Sequence, residues 1–425
     1  MTTAVGTSKP AAAAKTFSRS VRTDEALRRA YNANVAKSIA YHALTHFQLW
    51  TAIWVVYLHS YRGFSLLEIT TLDSLFFLVG VLAELPTGVV ADRFGRKVSL
   101  LCGSAMLTAA VFVFGIADSY LVVLLSYVVW GIASAFQSGA DSALLYDSMR
   151  EAGRVAEYAK VQGRMNAVGF GAGLAGGLIG APLAAATNLA VPVLASSALA
   201  ALAIGVAVTL REPPRGERGR AGYAAIMRAS LAQPRRDAGT RYALIFSALA
   251  AGSTFTIFSQ PFLLEHDVSV GMLGILQVPL RLAAIAGSLV AYRLTRRIGD
   301  WRFFALSPLL GGVALIGLAG WDSVYAFAFF AMLSAVGPMR GPVLTRYLND
   351  RTPSFVRASV LSLRTLSISA GMLALEPAAG FVASVAGLRA AFLCMAVFAV
   401  SSLSLVLWLW RRATASEVST AAPMD

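Results

Sequence analysis

The chain has 425 residues, 57% of them hydrophobic and only 14% charged, with a mean hydropathy of +0.66 and a formal net charge of +14. Soluble domains carry about 25% charged residues, so a water-facing coat over several globular cores is excluded, and the apolar excess excludes disorder as well. What remains is an all-α membrane protein that crosses the bilayer many times.

In chain order, residues 1–36 are polar and basic (Lys9, Lys15, Arg19, Arg22, Arg28, Arg29) without a cleavable signal pattern, and read as a cytosolic tail. A bilayer core about 30 Å thick takes about 20 apolar residues as helix, because lipid offers backbone groups no partner. Six runs of that length fall at 38–60, 65–90, 98–117, 120–147, 161–184 and 189–210. Six more fall at 240–264, 269–295, 302–320, 323–347, 358–385 and 388–410. Two six-helix bundles are thus expected over 37–210 and 240–412, with a linker at 211–239 and a second tail at 413–425. Within the linker, Tyr223–Arg228 reads equally as a short helix on the membrane surface or as solvated basic chain.

With both termini cytosolic, 32 of the 36 Lys and Arg lie on the inner side; Arg62 and Arg389 are outside, and Arg281 and Arg340 fall within spans. The positive-inside rule accounts for this basic charge, so no nucleic-acid partner is implied. Two cysteines in apolar runs and four scattered histidines leave no disulfide framework or metal site. No nucleophile–base pair or nucleotide loop is visible either, so no cofactor and no enzyme activity are expected.

Shifting the chain by 200 residues places Ala91–Lys97 on Ala291–Arg297, and Arg164, Gly171 and Gly180 on Arg364, Gly371 and Gly380. An internal repeat of two six-helix halves points to a transporter with its site between them. The segment Gly88-Val89-Val90-Ala91-Asp92-Arg93-Phe94-Gly95-Arg96-Lys97 resembles the inner-loop signature between helices two and three of the major facilitator superfamily, and the resemblance covers roughly 37–412. It implies that Asp92, with Gly88, Arg93, Gly95, Arg96 and Lys97, forms a latch between the halves on the cytosolic side. A carboxylate there suits the N-terminus of a neighbouring helix. In the second copy Tyr292 stands where the aspartate would be, so a weaker latch is expected there.

Ionisable groups at membrane depth cost about 2.5–3.5 kcal/mol each and tend to be functional or paired. Here they are segregated. His42 and His46 lie on the first span, Asp73 and Glu84 on the second, Asp141 and Asp147 on the fourth, Arg281 on the eighth, Arg340 on the tenth and Glu376 on the eleventh. Spans three, six, nine and twelve hold none in their interiors, and in the facilitator fold those four are the lipid-facing helices. Asp73 and Glu84, 11 residues apart, share a helix face; Gln137 and Asp141, and Gln277 and Arg281, are i,i+4 neighbours. Thr365, Ser369, Met372 and Glu376 form a polar stripe.

Asp141 and Arg340, at similar depth in opposite halves, are expected to form a gating salt bridge. Arg281 is the candidate for a substrate carboxylate or phosphate; Asp73, Glu84 and Glu376 are candidates for proton binding. Gln137, Gln260 and Gln277 add polar contacts, and Trp50, Trp54, Tyr127 and Trp130 offer aromatic ones. For each of these, ordinary packing or mutual neutralisation is the competing reading, and the histidine pair reads as structural.

The pattern of drug–proton antiporters is incomplete, since Tyr127 stands four residues before Gly131 where an arginine is typical. Gly169–Pro182 is glycine-rich in a different order from theirs, and the sugar-porter pattern is poorer still. Gln137–Asp147 is similar to a segment of a bacterial branch taken to be exporters. The expectation is a monomeric transporter in the cytoplasmic membrane that exchanges protons for a small amphipathic or organic-acid compound by alternating access. The alternatives are proton-linked uptake of an anionic nutrient through Arg281, or a receptor or scaffold that keeps the fold without transport.

Overall fold

The computed structural model describes residues 10–214, 232–253, 256–353 and 356–421. Among them the regular elements are all helical: α1 Pro10–His46, α2 Trp54–Val56, α3 Leu66–Phe94, α4 Arg96–Ile116, α5 Tyr120–Gln137, α6 Ala140–Glu151, α7 Tyr158–Ala186 and α8 Ala190–Thr209. These are followed by α9 Ala238–Ala251, α10 Ser259–Glu265, α11 Leu273–Ile298, α12 Asp300–Gly320, α13 Ala328–Arg351 and α14 Arg357–Ala421, which Gly387 divides at φ 84° and ψ 168°. Nine helical stretches among the described residues are long and apolar enough to cross a membrane, the last spanning both parts of α14. The Tyr223–Arg228 segment lies outside the described residues.

Local chemistry explains the ends. Ser65 and Glu68 form a reciprocal capping box that starts α3. Gly95 stops α3 at φ 113° and Gly299 stops α11 at φ 80°, a conformation that glycine adopts without a Cβ clash.

Three expected spans are broken rather than continuous. The first is interrupted at 47–53, between α1 and a turn of helix, α2, that continues as a π-helical turn over Tyr57–Tyr61. The fourth breaks at Ser138–Gly139, where Gly139 has φ 72°. The seventh breaks between Ala251 and Ser259. Apolar residues flank each break, and a stretch of bilayer length averages over it, which is why hydropathy alone reads a single rod.

The repeat is also corrected. α4 and α12, each of 21 residues, start at 96 and 300, 204 apart. Gly95 therefore matches Gly299, and Arg296, not Tyr292, stands at the place of Asp92. The offset of 200 holds only from α7 and α14 onward. The change falls in the fourth span, which has 32 residues over Tyr120–Glu151 against 28 over Val324–Arg351. Four residues are one helical turn.

The two parts of the chain are sealed at the end opposite the Gly88–Lys97 loop. There Leu67 N donates to Ser384 Oγ at 3.1 Å, Gly380 packs against Thr70 and the Leu66 carbonyl, and Gly274 packs against the Gly177 carbonyl. Toward the loop end, Leu82, Leu85 and Val89 of α3 and Leu282, Ile285 and Leu289 of α11 are exposed instead.

Candidate functional site

A cavity of about 980 Å³ lies between the two parts and reaches toward the loop end. The breaks build it. Backbone groups released at 47–53 would be costly inside a membrane, and side chains satisfy them: Leu49 N donates to Ser196 Oγ at 2.9 Å, and Val55 N to Gln260 Oε1 at 3.0 Å. Gln260 Nε2 also donates to the Thr51 carbonyl at 3.4 Å. Gln260 lines the cavity, but its carboxamide is engaged in capping α2 from the other half of the chain rather than facing a ligand.

Of the expected site residues, Asp73, Tyr127, Trp130, Gln137, Asp141, Gln260, Gln277, Arg281 and Glu376 all line this cavity. Spans three, six, nine and twelve contribute only Leu107 of α4 among the lining residues, in keeping with their uncharged interiors. Asp73 of α3 and Glu376 of α14 act on one another electrostatically across the boundary between the halves. Glu376 is buried, and its Oε2 has no hydrogen-bond partner among the described residues. Arg281 faces the cavity from α11 one turn beyond Gln277, and no carboxylate pairs with it among the described residues. Pro279 and Pro377 sit beside these charges and remove backbone donors from the two helices.

Another part of the lining is aromatic. Trp50 meets Trp130 edge-on at 4.8 Å, and Trp130 meets Phe76 at 5.3 Å and Tyr127 at 5.5 Å. Nearer the loop end, His42 Nδ1 lies 3.2 Å from Asp141 Oδ2, and the His42 and His46 rings are 4.0 Å apart. Asp141 also accepts from Ser142 N at 2.5 Å.

Two expectations fail. No ion pair joins Asp141 and Arg340 among the described residues: Asp141 is with His42, while Arg340 is buried and donates to the Ala250 carbonyl and Ser253 Oγ, both at 3.0 Å. The guanidinium thus braces the C-terminal end of α9, where the helix dipole favours a cation. The four-residue difference within the repeat removes the equivalence on which that gate rested. Glu84 is exposed on the loop-end half of α3 and does not line the cavity.

In the loop signature, Asp92 and Arg93 are exposed. Arg96 forms an ion pair with Asp147 and donates to the Ala143 carbonyl at 2.7 Å. Glu212 accepts from Arg96 N at 2.9 Å and Lys97 N at 2.7 Å. The carboxylate shown here on a helix N-terminus therefore comes from Glu212, a residue the sequence reading passed over as part of a linker. Sequence reasoning also missed the lining residues Gln162 and Asn166, joined at 3.0 Å; their i,i+4 spacing on an apolar span was the available signal.

Interrupted helices around a cavity walled by charges and rings, with the helices that barely line it left neutral in their interiors, point to a membrane transporter. The chain belongs to the Major Facilitator Superfamily, whose family model matches residues 38–258 and again 242–424. It is accordingly a multi-pass membrane protein that carries a small-molecule substrate, in a family of transporters rather than enzymes. It is 24% identical over 365 residues to the uncharacterized MFS-type transporter YxaM of Bacillus subtilis (strain 168), covering 82% of this chain and 89% of that one. Its fold is similar to that of a mutant of the nucleoside transporter NupG (TM-score 0.75, 14% identity, 90% of this chain and 99% of that one). It is also similar to the POT family transporter PepTSo (TM-score 0.68, 14% identity, 89% and 97%) and to an inward-facing bacterial homolog of the human lysosomal transporter Spinster (0.67, 16%, 90% and 98%). At these identities the likeness concerns the fold alone.

Proposed function

We propose that the chain is a monomeric secondary transporter of the cytoplasmic membrane that exports a small amphipathic or organic-acid compound in exchange for protons. In this reading twelve spans form bundles over 37–210 and 240–412, joined by the 211–239 linker, with both termini cytosolic. The basic loops then mark the inner face, and the cavity is inward-facing. The observation that carries the reading is the separation of charge: Arg281 is open to the cavity with no acidic partner among the described residues, while Asp73 and Glu376 sit together elsewhere in it. Arg281 and Gln277 take the substrate anion, the rings of Trp50, Tyr127 and Trp130 hold its apolar body, and the two carboxyls exchange protons. Asp141, through His42, extends the polar path toward the loop end. The signature residues Gly88, Asp92, Arg93, Gly95, Arg96 and Lys97 latch the loop end when the cavity opens outward. A scaffold would neutralise its buried charges and close its cavity, and here no described carboxylate pairs with Arg281.

The uptake reading, of an anionic nutrient on the same arginine, differs only in direction. Thermal-shift screening against metabolites and drugs supplies a ligand, and inside-out vesicles then decide. An acid lumen should drive accumulation, and Glu376→Gln should uncouple it. Accumulation that ignores an uncoupler overturns proton coupling, and accumulation only in right-side-out vesicles with acid outside reverses the direction. Normal affinity for an anionic ligand in Arg281→Gln removes that residue from the site.

A further inference from the structure

A second hollow, a groove of about 540 Å³, lies between α1 and α8 and shares no lining residue with the central cavity. Ala36, Ala40 and Leu44 recur every four residues on α1, and Leu202 and Gly205 lie on the facing side of α8. The groove therefore runs for about 12 Å along the two helices. Small side chains leave it open: a Cβ at Gly205 would meet nothing within 4 Å. Leu202 and Val208 on the same helix are exposed, and in a chain that spans a membrane many times such side chains meet lipid.

One end of the groove differs chemically from the rest. Lys37, the one charged residue on its described lining, donates from Nζ to the Thr209 carbonyl at 2.7 Å. Lys97 Nζ donates to the adjacent Val208 carbonyl at 2.6 Å. Bonded to consecutive carbonyls of one helix, the two ammonium groups lie within roughly 10 Å of each other. Bracing the C-terminus of α8 uses one hydrogen of each, and an ammonium has three donors. No carboxylate pairs with either lysine among the described residues. Glu212, three residues beyond α8, accepts from the Arg96 and Lys97 backbone amides instead.

We propose that this groove binds an anionic phospholipid from the leaflet at the loop end. One acyl chain lies along Ala40, Leu44 and Gly205, and Lys37 and Lys97 hold the phosphate. Two cations at one end with apolar side chains beyond them suit an amphiphile with a charged head. A zwitterionic head brings a cation of its own to the lysines and gains less from them. The site depends neither on Arg281 nor on the direction of transport, so it stands or falls apart from the reading above.

The test is native mass spectrometry of the purified full chain in neutral detergent, titrated with dioleoyl phosphatidylglycerol or dioleoyl phosphatidylcholine. These share their acyl chains and differ in net head charge. The first phosphatidylglycerol should bind about tenfold more tightly than the first phosphatidylcholine. Lys37→Gln with Lys97→Gln should remove that preference. Arg412→Gln, whose guanidinium stacks on Trp408 of α14, should retain it, whereas diffuse attraction to basic surface would respond to both. Gly205→Leu fills the groove and should weaken first-site binding of phosphatidylglycerol about tenfold. A melting temperature in lipid-free detergent at or above that of the wild type reports that this variant is folded. Equal affinities in the wild type, a preference that survives the lysine pair, an equal loss in Arg412→Gln, or unchanged binding in Gly205→Leu overturns the proposal. A dimer that Gly205→Leu dissociates assigns the groove to a second copy of the chain instead. If one variant does not purify, the other decides.

Discussion

The fourth span and its repeat partner are built on the same frame and put to different uses. Over Tyr120–Glu151 the chain has four more residues than over Val324–Arg351 and breaks at Ser138–Gly139. Tyr127, Trp130, Ser134 and Gln137 before the break, and Asp141 and Ser142 after it, line the cavity. α13 runs unbroken through Pro338 and Pro342, contributes no lining residue among those described, and turns Arg340 inward to brace α9. The duplication thus preserves packing, while one added helical turn determines which copy faces the substrate.

The largest expected effects come from glycines that the repeat pairs but the packing does not. A Cβ at Gly371 would overlap the Ala248 carbonyl, whereas Gly171 faces open space. Neither the carbonyl nor the helix carrying it can give way without separating α14 from α9, so Gly371→Val should abolish folded material on size exclusion. Gly171→Val should remain folded, with a stability change within about 1 kcal/mol. Equal behaviour of the two variants would mean that the halves pack alike after all.

A smaller pair of opposite sign tests the break itself. Gly139 holds φ 72° with space around it, so Gly139→Ala should cost about 1 kcal/mol in backbone strain alone. Gly341 lies in the continuous α13, also with open space, and Gly341→Ala should stabilise by about 1 kcal/mol through helix propensity. Melting temperatures in detergent should move in opposite directions; a shared direction would show that the fourth span does not need its break.

What the sequence made legible follows from what leaves a periodic trace. Charge segregation identified the lining helices, and nine expected site residues do reach one cavity, because burying Asp73, Arg281 or Glu376 against lipid is too costly to occur by chance. The breaks were overlooked because each is flanked by long apolar stretches: Ser138-Gly139 and Gly252-Ser253 are turn signals, but short ones inside runs of bilayer length. The Asp141–Arg340 gate failed because a single offset hid a four-residue slip. Glu212 was illegible because its partners are backbone amides 116 and 115 positions away, and no spacing rule reports those.

The slip also exposes ion pairs that the repeat has rewritten. At the loop end Arg96 pairs with Asp147, and in the second copy the signs are exchanged, with Arg346 on Asp300. The first pair is mostly buried and the second substantially exposed. Asp147→Asn should therefore cost about 1–3 kcal/mol, and Asp300→Asn under about 1 kcal/mol, read as unfolding free energies. Comparable costs would show that burial does not distinguish the copies.

The smallest effect is expected at the other end, where Arg62 and Asp118 of the first copy correspond to His266 and Asp322 of the second, both 204 apart. Arg62 binds Asp118, Tyr57 Oη at 2.9 Å and the Gly115 carbonyl at 2.8 Å, so its charge is permanent and well anchored. His266 stands 3.5 Å from Asp322 and pairs with it as a cation only when protonated, and Arg389 supplies the fixed charge instead. A hydrogen bond and ion pair from Arg389 hold the Asp322 carboxyl below its ordinary range. A depressed folded-state pKa stabilises above the unfolded value, and that contribution is lost as pH falls through the folded one. Asp322→Asn should therefore remove a small contribution at neutral pH, small because the carboxylate is exposed and screened, and converge on the wild type in acid, where that contribution is already lost. Arg389→Ala should reproduce that change in thermal melts from pH 7 downward, and Arg62→Ala should instead lower stability at every pH. A stability profile in Arg389→Ala that matches the wild type would transfer the effect from Arg389 to His266, which stands 3.5 Å from the same carboxylate.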